Sequence, residues 1–336
     1  MLLCKKELCS LILKNCKIGL DNRYIESSLV YTDRKIYLET TTRCNNYCQH
    51  CFNRSGEKEN DLSVENIIEL ERGFCNLGNI TQVLLSGGEF FSNPSYFEIL
   101  QFISCKYDVK VLSNGKFVPS DFLDLLSSRK NIGIQITLNG CTSQVDEIIR
   151  GACFDNTVSN IRKINNYGCS NSLTVATTLF RANINDIRAM IDFCLSIGVK
   201  RIQFSFIYKL GRAVDNWARL SISSYEKLIA LDEIQKLSLE YQDEISITSS
   251  GMRHFCSKIY SGDSDYTCQE LSEELVITPS LSALFCPKYD VYCECKGFSK
   301  LQYSDLSKGS CSIINLLDDK CSTCLQFREC LASCVI

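Results

Sequence analysis

Three cysteines in one short stretch are the residues of this sequence best suited to chemistry. Cys44, Cys48 and Cys51 lie within TTRCNNYCQHCFNRSG, at residues 41–56. Three thiolates in an eight-residue loop can hold three corners of a [4Fe–4S] cluster and leave the fourth iron open to another ligand. A zinc knuckle is the alternative. It needs a fourth ligand, and His50 stands between two of the cysteines with little freedom to reach the same ion.

The composition limits the other kinds of chemistry. The chain has 336 residues with 22 cysteines but only two histidines, which disfavours His-based zinc hydrolysis and Ser-His-Asp catalysis. The first 17 residues interrupt a short apolar run with lysines, so they do not resemble a signal peptide, and no run approaches the roughly 18 apolar residues of a membrane span. We therefore expect a cytoplasmic protein whose clustered cysteines bind metal or act as catalytic thiols. A net charge of −3 gives no general attraction to nucleic acid or to a membrane surface.

The elements that must position these cysteines repeat along the chain. Short apolar, β-branched runs occur at 36–41, 82–86, 109–113, 132–138, 172–180 and 200–208. Helical patterns occur at 63–78, 93–105, 119–129, 154–168, 184–198 and 223–244. This alternation predicts an α/β fold, a partial (β/α)6 TIM-like barrel. In such barrels the chemistry gathers at the C-terminal ends of the strands, where the three cysteines follow the first strand.

The chain divides into four parts by composition. Residues 1–35 are expected to form an N-terminal extension that could fold as a hairpin. The barrel is expected to span 36–240, with 241–265 as a connection. Residues 266–336 are predicted to form a small cysteine-rich C-terminal domain, held together by metal rather than by a large core.

Polar groups and glycines follow the next three strands as well. The second strand ends in LLSGGEFF, where Gly87 and Gly88 allow the backbone to approach a ligand and Glu89 offers a carboxylate. The third ends in LSNG, with Ser113 and Asn114, and the fourth in ITLNG, with Thr137. Each could be an ordinary β–α turn. Together with a three-cysteine loop at the same edge, they predict a ligand site.

Cys-x3-Cys-x2-Cys after the first strand and Gly-Gly-Glu after the second resemble the radical S-adenosylmethionine (radical SAM) enzyme family, over residues 36–240. The resemblance implies that Cys44, Cys48 and Cys51 hold a [4Fe–4S] cluster whose open iron binds SAM. It also implies SAM contacts from Gly87, Gly88 and Glu89 to the amino group, from Ser113 and Asn114 to the ribose, and from Thr137 and Asn139 as a further polar position.

Two more residues of the barrel are matched to the family less directly. Arg150 is a candidate partner for the SAM carboxylate, with a helix-surface arginine as the alternative. His50 occupies a position where the family usually has an aromatic residue near the adenine, and Phe90 stands where proline is common. Neither departure removes an iron ligand.

A second resemblance covers the C-terminal cysteines. Cys321-x2-Cys324-x5-Cys330-x3-Cys334, preceded by Cys268 and Cys286, resembles the SPASM domain, which binds auxiliary [4Fe–4S] clusters. It implies one cluster on Cys268, Cys286 and Cys334 and another on Cys321, Cys324 and Cys330, so one or two auxiliary clusters are expected. Each set is one ligand short, and the candidates to complete them are Cys293, Cys295 and Cys311. A zinc knuckle is again the alternative.

These resemblances predict an oxidoreductase that matures peptides. The expected substrate is a ribosomally made precursor peptide or a protein, modified by a thioether or carbon–carbon crosslink. The expected redox partner is a reductant such as flavodoxin or ferredoxin. Because residues 1–35 are too few for a leader-binding domain, the leader is expected to bind either the barrel and its C-terminal domain or a separate leader-binding protein. The alternatives are a side-chain oxidase similar to sulfatase maturases, a peptide epimerase, and a zinc-stapled binding protein without catalysis.

Overall fold

The computed structural model of the chain describes residues 33–74, 79–249, 274–284 and 301–302. Most of the expected N-terminal extension, 1–35, lies outside these ranges, and only its last three residues fall within them, at the start of the first strand. The candidate auxiliary-cluster ligands also lie outside the described residues: Cys268, Cys286, Cys293, Cys295, Cys311, Cys321, Cys324, Cys330 and Cys334.

The described residues form alternating strands and helices. The strands are β1 (Asp33–Glu39), β2 (Asn79–Ser86), β3 (Val109–Ser113), β4 (Ile132–Thr137), β5 (Leu173–Leu179), β6 (Arg201–Phe206), β7 (Ser246–Ser249), β8 (Glu274–Ile277), β9 (Ser282–Leu284) and β10 (Leu301–Gln302). The α-helices are α1 (Val64–Arg72), α2 (Tyr96–Ser104), α3 (Ser120–Ser128), α4 (Ser143–Arg150), α5 (Phe154–Asn166), α6 (Ile187–Ser196), α7 (Trp217–Leu220) and α8 (Ser224–Glu240).

One sheet contains all of these strands, in the order β10-β9-β8-β1-β2-β3-β4-β5-β6-β7. The strands from β1 to β7 pair in parallel with their neighbours, so their C-terminal ends meet at one edge. This arrangement confirms the predicted alternation of strands and helices. The third strand is observed where it was predicted, at 109–113, and the other five differ by one to three residues at an end.

Alternate residues of the central strands face two different environments. In β4, Ile132, Ile134 and Ile136 are fully or almost fully buried, while the residues between them are half-buried. β3 shows the same alternation, with Lys110 on the half-buried side. One face of the sheet therefore belongs to the hydrophobic core, and the opposite face carries Lys110, Gln135 and Thr137 beside Leu112.

Helix ends follow local capping chemistry. α1 begins with a capping box in which Ser63 accepts from the Asn66 backbone and the Asn66 side chain accepts from the Ser63 backbone. It ends at Arg72, six residues before Gly78, the position predicted from the sequence, because Gly73 already closes the helix. α4 was not predicted. In the described part of the chain, no helix combines the length and apolar character needed to cross a membrane.

Two strands from beyond residue 240 extend the sheet. β7 lies within the predicted connection and pairs in parallel with β6. β8 lies within the predicted C-terminal domain, pairs in parallel with β1, and forms an antiparallel hairpin with β9. The domain boundaries themselves stay predictions.

The buried side-chain amide of Asn93 connects the segments that precede and follow the three cysteines. Asn93 is 1% exposed, and its Nδ2 donates to the carbonyls of Thr40 (2.7 Å) and Leu62 (3.0 Å).

We expect Asn93→Ala to lower the free energy of unfolding by about 1–3 kcal/mol, because the two buried carbonyl groups lose a hydrogen-bond donor. Chemical denaturation measures this. The exposed Asn171→Ala is the control, with an expected change within about 0.5 kcal/mol. Equal effects of the two substitutions would contradict the prediction.

Candidate functional site

The three predicted cluster ligands lie together in the three-cysteine loop (residues 44–51), directly after β1. All three are half-buried free thiols. The pKa of Cys48 is raised to about 12, mainly by burial; the positive charge of Arg150 opposes this shift, and the nearby thiols of Cys51 and Cys44 add to it. Burial also raises the pKa of Cys44. The loop therefore disfavours thiolates until a metal supplies positive charge, and metal binding would release protons.

The donor set of this loop fits a cluster with three protein ligands. Across the described ranges, no three Cys, His, Asp or Glu side chains converge on a point that could hold a single metal ion. A cubic [4Fe–4S] cluster does not require such convergence, because each thiolate binds a different iron corner. Three neighbouring thiols and no fourth local ligand match that requirement.

Glu89 is the buried carboxylate of the site. It is 2% exposed and follows β2 in the Gly-Gly-Glu turn. Its Oε1 accepts from the Ser113 hydroxyl (2.9 Å), and its Oε2 accepts from the Asn114 backbone N–H (2.7 Å). Burial raises the pKa of Glu89 to about 7, although these hydrogen bonds and Arg150 act in the opposite direction. Among the described residues no Lys or Arg forms an ion pair with it, so its charge is open to a cationic ligand.

The two glycines before Glu89 are required by contact with the chain that leads into the three-cysteine loop. Gly87 has φ +144°, and an added Cβ would lie 2.4 Å from the Thr41 carbonyl oxygen. A Cβ on Gly88 would lie 2.3 Å from the Arg43 carbonyl oxygen. The backbone N–H groups of Gly88 and Glu89 donate to these same carbonyls, each at 2.8 Å. The turn after β2 is thus fixed directly against the start of the loop.

Asn114 connects the turn after β3 to the same loop. Its Nδ2 donates to Asn45 Oδ1 (2.7 Å) and lies 4.0 Å from Cys44 Sγ. Its backbone carbonyl accepts from Arg150. The predicted ribose role of Asn114 stays a prediction, and the side chain also has a structural contact that the sequence did not reveal.

Arg150 is fully enclosed, so its interpretation as a helix-surface arginine is wrong. It is 1% exposed and pairs with buried Asp146 at 3.3 Å. Its Nη2 also contacts Thr157 Oγ1 at 3.3 Å, and its Nε has no hydrogen-bond partner in the part of the chain that the structure describes. The SAM carboxylate remains its predicted partner. Asn139 joins the same network by donating its backbone N–H to Asp146 (2.7 Å).

Two other predicted residues are located near this network. The His50 ring is half-buried, and burial lowers its pKa to about 4, helped by the positive charges of Arg150 and Arg212. The imidazole is therefore neutral at pH 7. Thr137 is half-buried at the end of β4. Both residues remain predicted SAM contacts.

Arg212 and Asn216, which follow β6, also contact the three-cysteine loop and were missed by the sequence reasoning. Arg212 Nε donates to the Cys48 carbonyl (2.9 Å), and Asn216 Nδ2 donates to the Gln49 carbonyl (3.1 Å). The signal that could have found them is Gly211-Arg212, because it repeats after the sixth strand the pattern of glycine beside a polar group seen after earlier strands.

Comparison with known proteins finds a related superfamily. The sequence profile of the Radical SAM superfamily matches residues 38–194, a range that holds the three-cysteine loop, Glu89 and Arg150. Over residues 38–194 the chain is thus similar to the Radical SAM superfamily. This confirms the resemblance inferred from Cys-x3-Cys-x2-Cys and Gly-Gly-Glu.

The curated relatives of this chain include two from Bacillus subtilis. The antilisterial bacteriocin subtilosin biosynthesis protein AlbA is 30% identical over 182 residues, which cover 53% of this chain and 40% of AlbA. The sporulation killing factor maturation protein SkfB is 24% identical over 232 residues, which cover 66% of this chain and 55% of SkfB. The chain therefore spans about half the length of these relatives.

Solved structures of Streptococcus suis SuiB share the fold of this chain. SuiB bound to S-adenosylmethionine superposes with a TM-score of 0.69 and 14% identity, over 88% of this chain and 71% of SuiB. SuiB bound to precursor peptide SuiA gives a TM-score of 0.70 and 13% identity, over 88% and 70% of the two chains. At this identity the likeness confirms the predicted α/β partial-barrel fold class.

The contact between Gly88 and Arg43 can be tested by adding one methyl group. We expect Gly88→Ala to lower the free energy of unfolding by about 3 kcal/mol, because the new Cβ overlaps a backbone carbonyl that cannot easily move. It should also speed amide hydrogen exchange across residues 41–51. Gly168→Ala is the matched control, since its added Cβ meets nothing within 4 Å and it costs only about 1 kcal/mol for its left-handed backbone. Unchanged exchange in Gly88→Ala would refute the role of this contact.

Proposed function

We propose that this protein is a radical SAM enzyme that oxidatively modifies a ribosomally made precursor peptide, by forming a thioether or carbon–carbon crosslink. The observation that carries the proposal is the juxtaposition, at one edge of a parallel sheet, of three neighbouring thiols and a buried carboxylate that forms no ion pair with any residue the structure describes. Its relatives include proteins named for the biosynthesis or maturation of a bacteriocin and a killing factor, and SuiB has been solved with a precursor peptide.

Cys44, Cys48 and Cys51 would hold the [4Fe–4S] cluster. When bound, the cluster and SAM supply a 5′-deoxyadenosyl radical by one-electron cleavage of a C–S bond, and this radical removes a hydrogen atom from an unactivated C–H group. The protein contributes the position of the reactants and the exclusion of water.

Glu89 would receive the SAM ammonium group. Hydrogen bonds from Ser113 and from the Asn114 backbone fix both oxygens of its carboxylate. Because the carboxylate is buried and already oriented, the charge–charge contact forms in a low-dielectric site with little reorganisation. The same hydrogen bonds hold the turn after β3, so the amino-group site and the proposed ribose-contact residues form one connected unit.

The C-terminal cysteines would serve the oxidation. Forming a crosslink leaves an electron on the product, and an auxiliary cluster in a SPASM-like domain would accept it. The assignments of Cys268, Cys286 and Cys334 to one cluster and of Cys321, Cys324 and Cys330 to another remain proposals. The half-buried face of β3 and β4, which carries Lys110 and Thr137, offers polar groups to a peptide.

The test is anaerobic purification followed by iron–sulfur reconstitution. We expect a brown protein with absorbance near about 400 nm that releases 5′-deoxyadenosine from SAM in the presence of dithionite. Cys48→Ala should abolish the product, whereas Cys105→Ala, which changes an exposed thiol at the end of α2, should leave it unchanged. With a candidate precursor peptide found by searching the neighbouring genes, the product should lose two hydrogen atoms per crosslink. A colourless protein that contains zinc and yields no 5′-deoxyadenosine would refute the proposal.

The role of Glu89 predicts a pH dependence of SAM binding. The carboxyl has a pKa of about 7 before the ligand binds, and only its ionised form attracts an ammonium group strongly. Between about pH 5.5 and pH 7 the ionised fraction grows, so SAM affinity should rise by about tenfold.

Glu89→Gln should weaken SAM binding by about 10- to 100-fold and remove this dependence, since the amide carries no charge. Equilibrium dialysis on cluster-loaded protein gives both quantities. Glu98→Gln, on the exposed side of α2, is the control and should retain the wild-type profile. If Glu89→Gln keeps the wild-type pH dependence, another group receives the SAM amino group.

A further inference from the structure

The turn after β6 contacts the second half of the three-cysteine loop. This β6 turn, Gly211–Ala213, is a single 3-10 turn in which Gly211 has φ +53°. A Cβ on Gly211 would lie 2.2 Å from the carbonyl oxygens of both Cys51 and Phe52. The backbone N–H of Arg212 donates to the same Cys51 carbonyl at 2.9 Å. Glycine is therefore required here so that the two backbones can touch.

The Arg212 side chain then fixes the loop on both sides of that contact. Its guanidinium group is buried, with the residue 3% exposed. Nε donates to the Cys48 carbonyl at 2.9 Å, and both Nη1 and Nη2 donate to the Ser55 carbonyl at 3.1 Å. Nη1 also lies 3.3 Å from Glu57 Oε1, and the guanidinium stacks over the Tyr47 ring at 3.9 Å. One side chain thus holds chain segments before and after Cys51.

Different strand ends support different cysteines. The turns after β2 and β3 hold the Cys44 side, because the Glu89 N–H donates to the Arg43 carbonyl and the Asn114 side chain donates to Asn45. The β6 turn holds the side that carries Cys48 and Cys51. Glu89, Ser113 and Asn114, which are predicted to bind the amino group and ribose of SAM, lie at the β2 and β3 ends, whereas the Arg212 side chain donates to the Cys48 and Ser55 carbonyls.

We propose that Arg212 is a positioning residue for the [4Fe–4S] cluster: it fixes the backbone carbonyls beside two of the three ligands and places a buried positive charge next to them. This inference rests on the proposed radical SAM function. The fixed backbone holds the Cys48 and Cys51 thiols at the spacing of two cube corners. The buried charge stabilises the reduced cluster, whose charge is more negative, and so raises its reduction potential.

The test compares Arg212→Met and Arg212→Lys with the matched control Arg188→Met. Arg188 also pairs with a carboxylate, Glu240, and stacks on a ring, Tyr241, but it lies on the surface away from the loop. We expect Arg212→Met to lower iron bound after reconstitution, or the rate of SAM cleavage by the loaded protein, by about 10- to 100-fold. The KM for SAM should stay within about twofold, because the amino-group site is untouched, so the loss appears in kcat.

Two measurements distinguish the effect of Arg212 on the loop geometry from the effect of its positive charge. The midpoint potential of the SAM-site cluster, followed by its electron paramagnetic resonance signal, should fall in Arg212→Met and return toward wild type in Arg212→Lys. Amide exchange at residues 48–55 of the cluster-free protein should accelerate in both variants, because lysine cannot reproduce the fork of donors. Arg188→Met should match wild type in all measurements.

The outcomes distinguish this inference from the proposed function. If wild type releases 5′-deoxyadenosine and Arg212→Met keeps its iron content, potential and kcat, the proposed function stands and the positioning role is wrong. If Arg212→Met merely fails to fold, the Arg212→Lys variant decides. A folded Arg212→Lys with wild-type loop exchange would overturn the inference. If wild type itself binds no cluster, both proposals fall.

Discussion

The three-cysteine loop contains no helix or strand, so its backbone N–H and C=O groups must find hydrogen-bond partners elsewhere. This requirement determines which residues lie at the C-terminal edge of the sheet. Buried backbone N–H and C=O groups must find partners. Here the partners come from neighbouring strand ends: Arg212 and Asn216 after β6, the Gly-Gly-Glu turn after β2, and Ile149 in α4, whose carbonyl accepts from the Gln49 N–H at 2.8 Å. A loop that must present its thiols to a ligand thus obtains its rigidity from residues as far as 167 positions away.

The two buried carboxylates of the site, Asp146 and Glu89, differ in whether a cationic side chain pairs with them. Arg150 and Asp146 neutralise each other where both side chains are fully enclosed. Glu89 has no such partner, and a hydroxyl and backbone N–H groups stabilise its carboxylate only in part, which leaves its pKa at about 7. A buried carboxylate in this condition gains most from a cationic ligand. The Asp146 carboxylate is thus part of a structural ion pair, whereas the Glu89 carboxylate is available to bind a cationic ligand.

The sequence predicted those parts of the site that depend on local pattern. The three cysteines, the Gly-Gly-Glu turn and Ser113 come together as expected, because each directly follows a β-strand and parallel strands end at one edge. The residues whose environment the sequence did not predict depend on contacts with residues far away in the sequence. Arg150 is buried because Asp146, Asn114 and Thr157 surround it, and the sequence around Arg150 does not reveal its contact with the turn after β3. Arg212 was missed because its partners lie more than 150 residues away in sequence. The two glycines were predicted for their closeness to a ligand, and the structure adds a closer neighbour, the chain at residues 41–43.

The parallel pairing of β1 with β8 has a consequence for the order in which this protein is made and folded. β1 carries the three-cysteine loop, and one of its two edges is paired by residues Glu274–Ile277, about 240 positions later in the chain. During synthesis that edge has no partner until most of the chain has emerged. Contacts of such sequence separation form slowly, and an open strand edge invites pairing with other chains. A shortened chain that ends at residue 240 would contain all six predicted strands and the loop, yet would expose this edge permanently. Residues Glu274–Ile277 therefore have a structural role, because they pair with the edge of β1, the strand that precedes the three cysteines. This role is independent of any chemistry of the C-terminal cysteines.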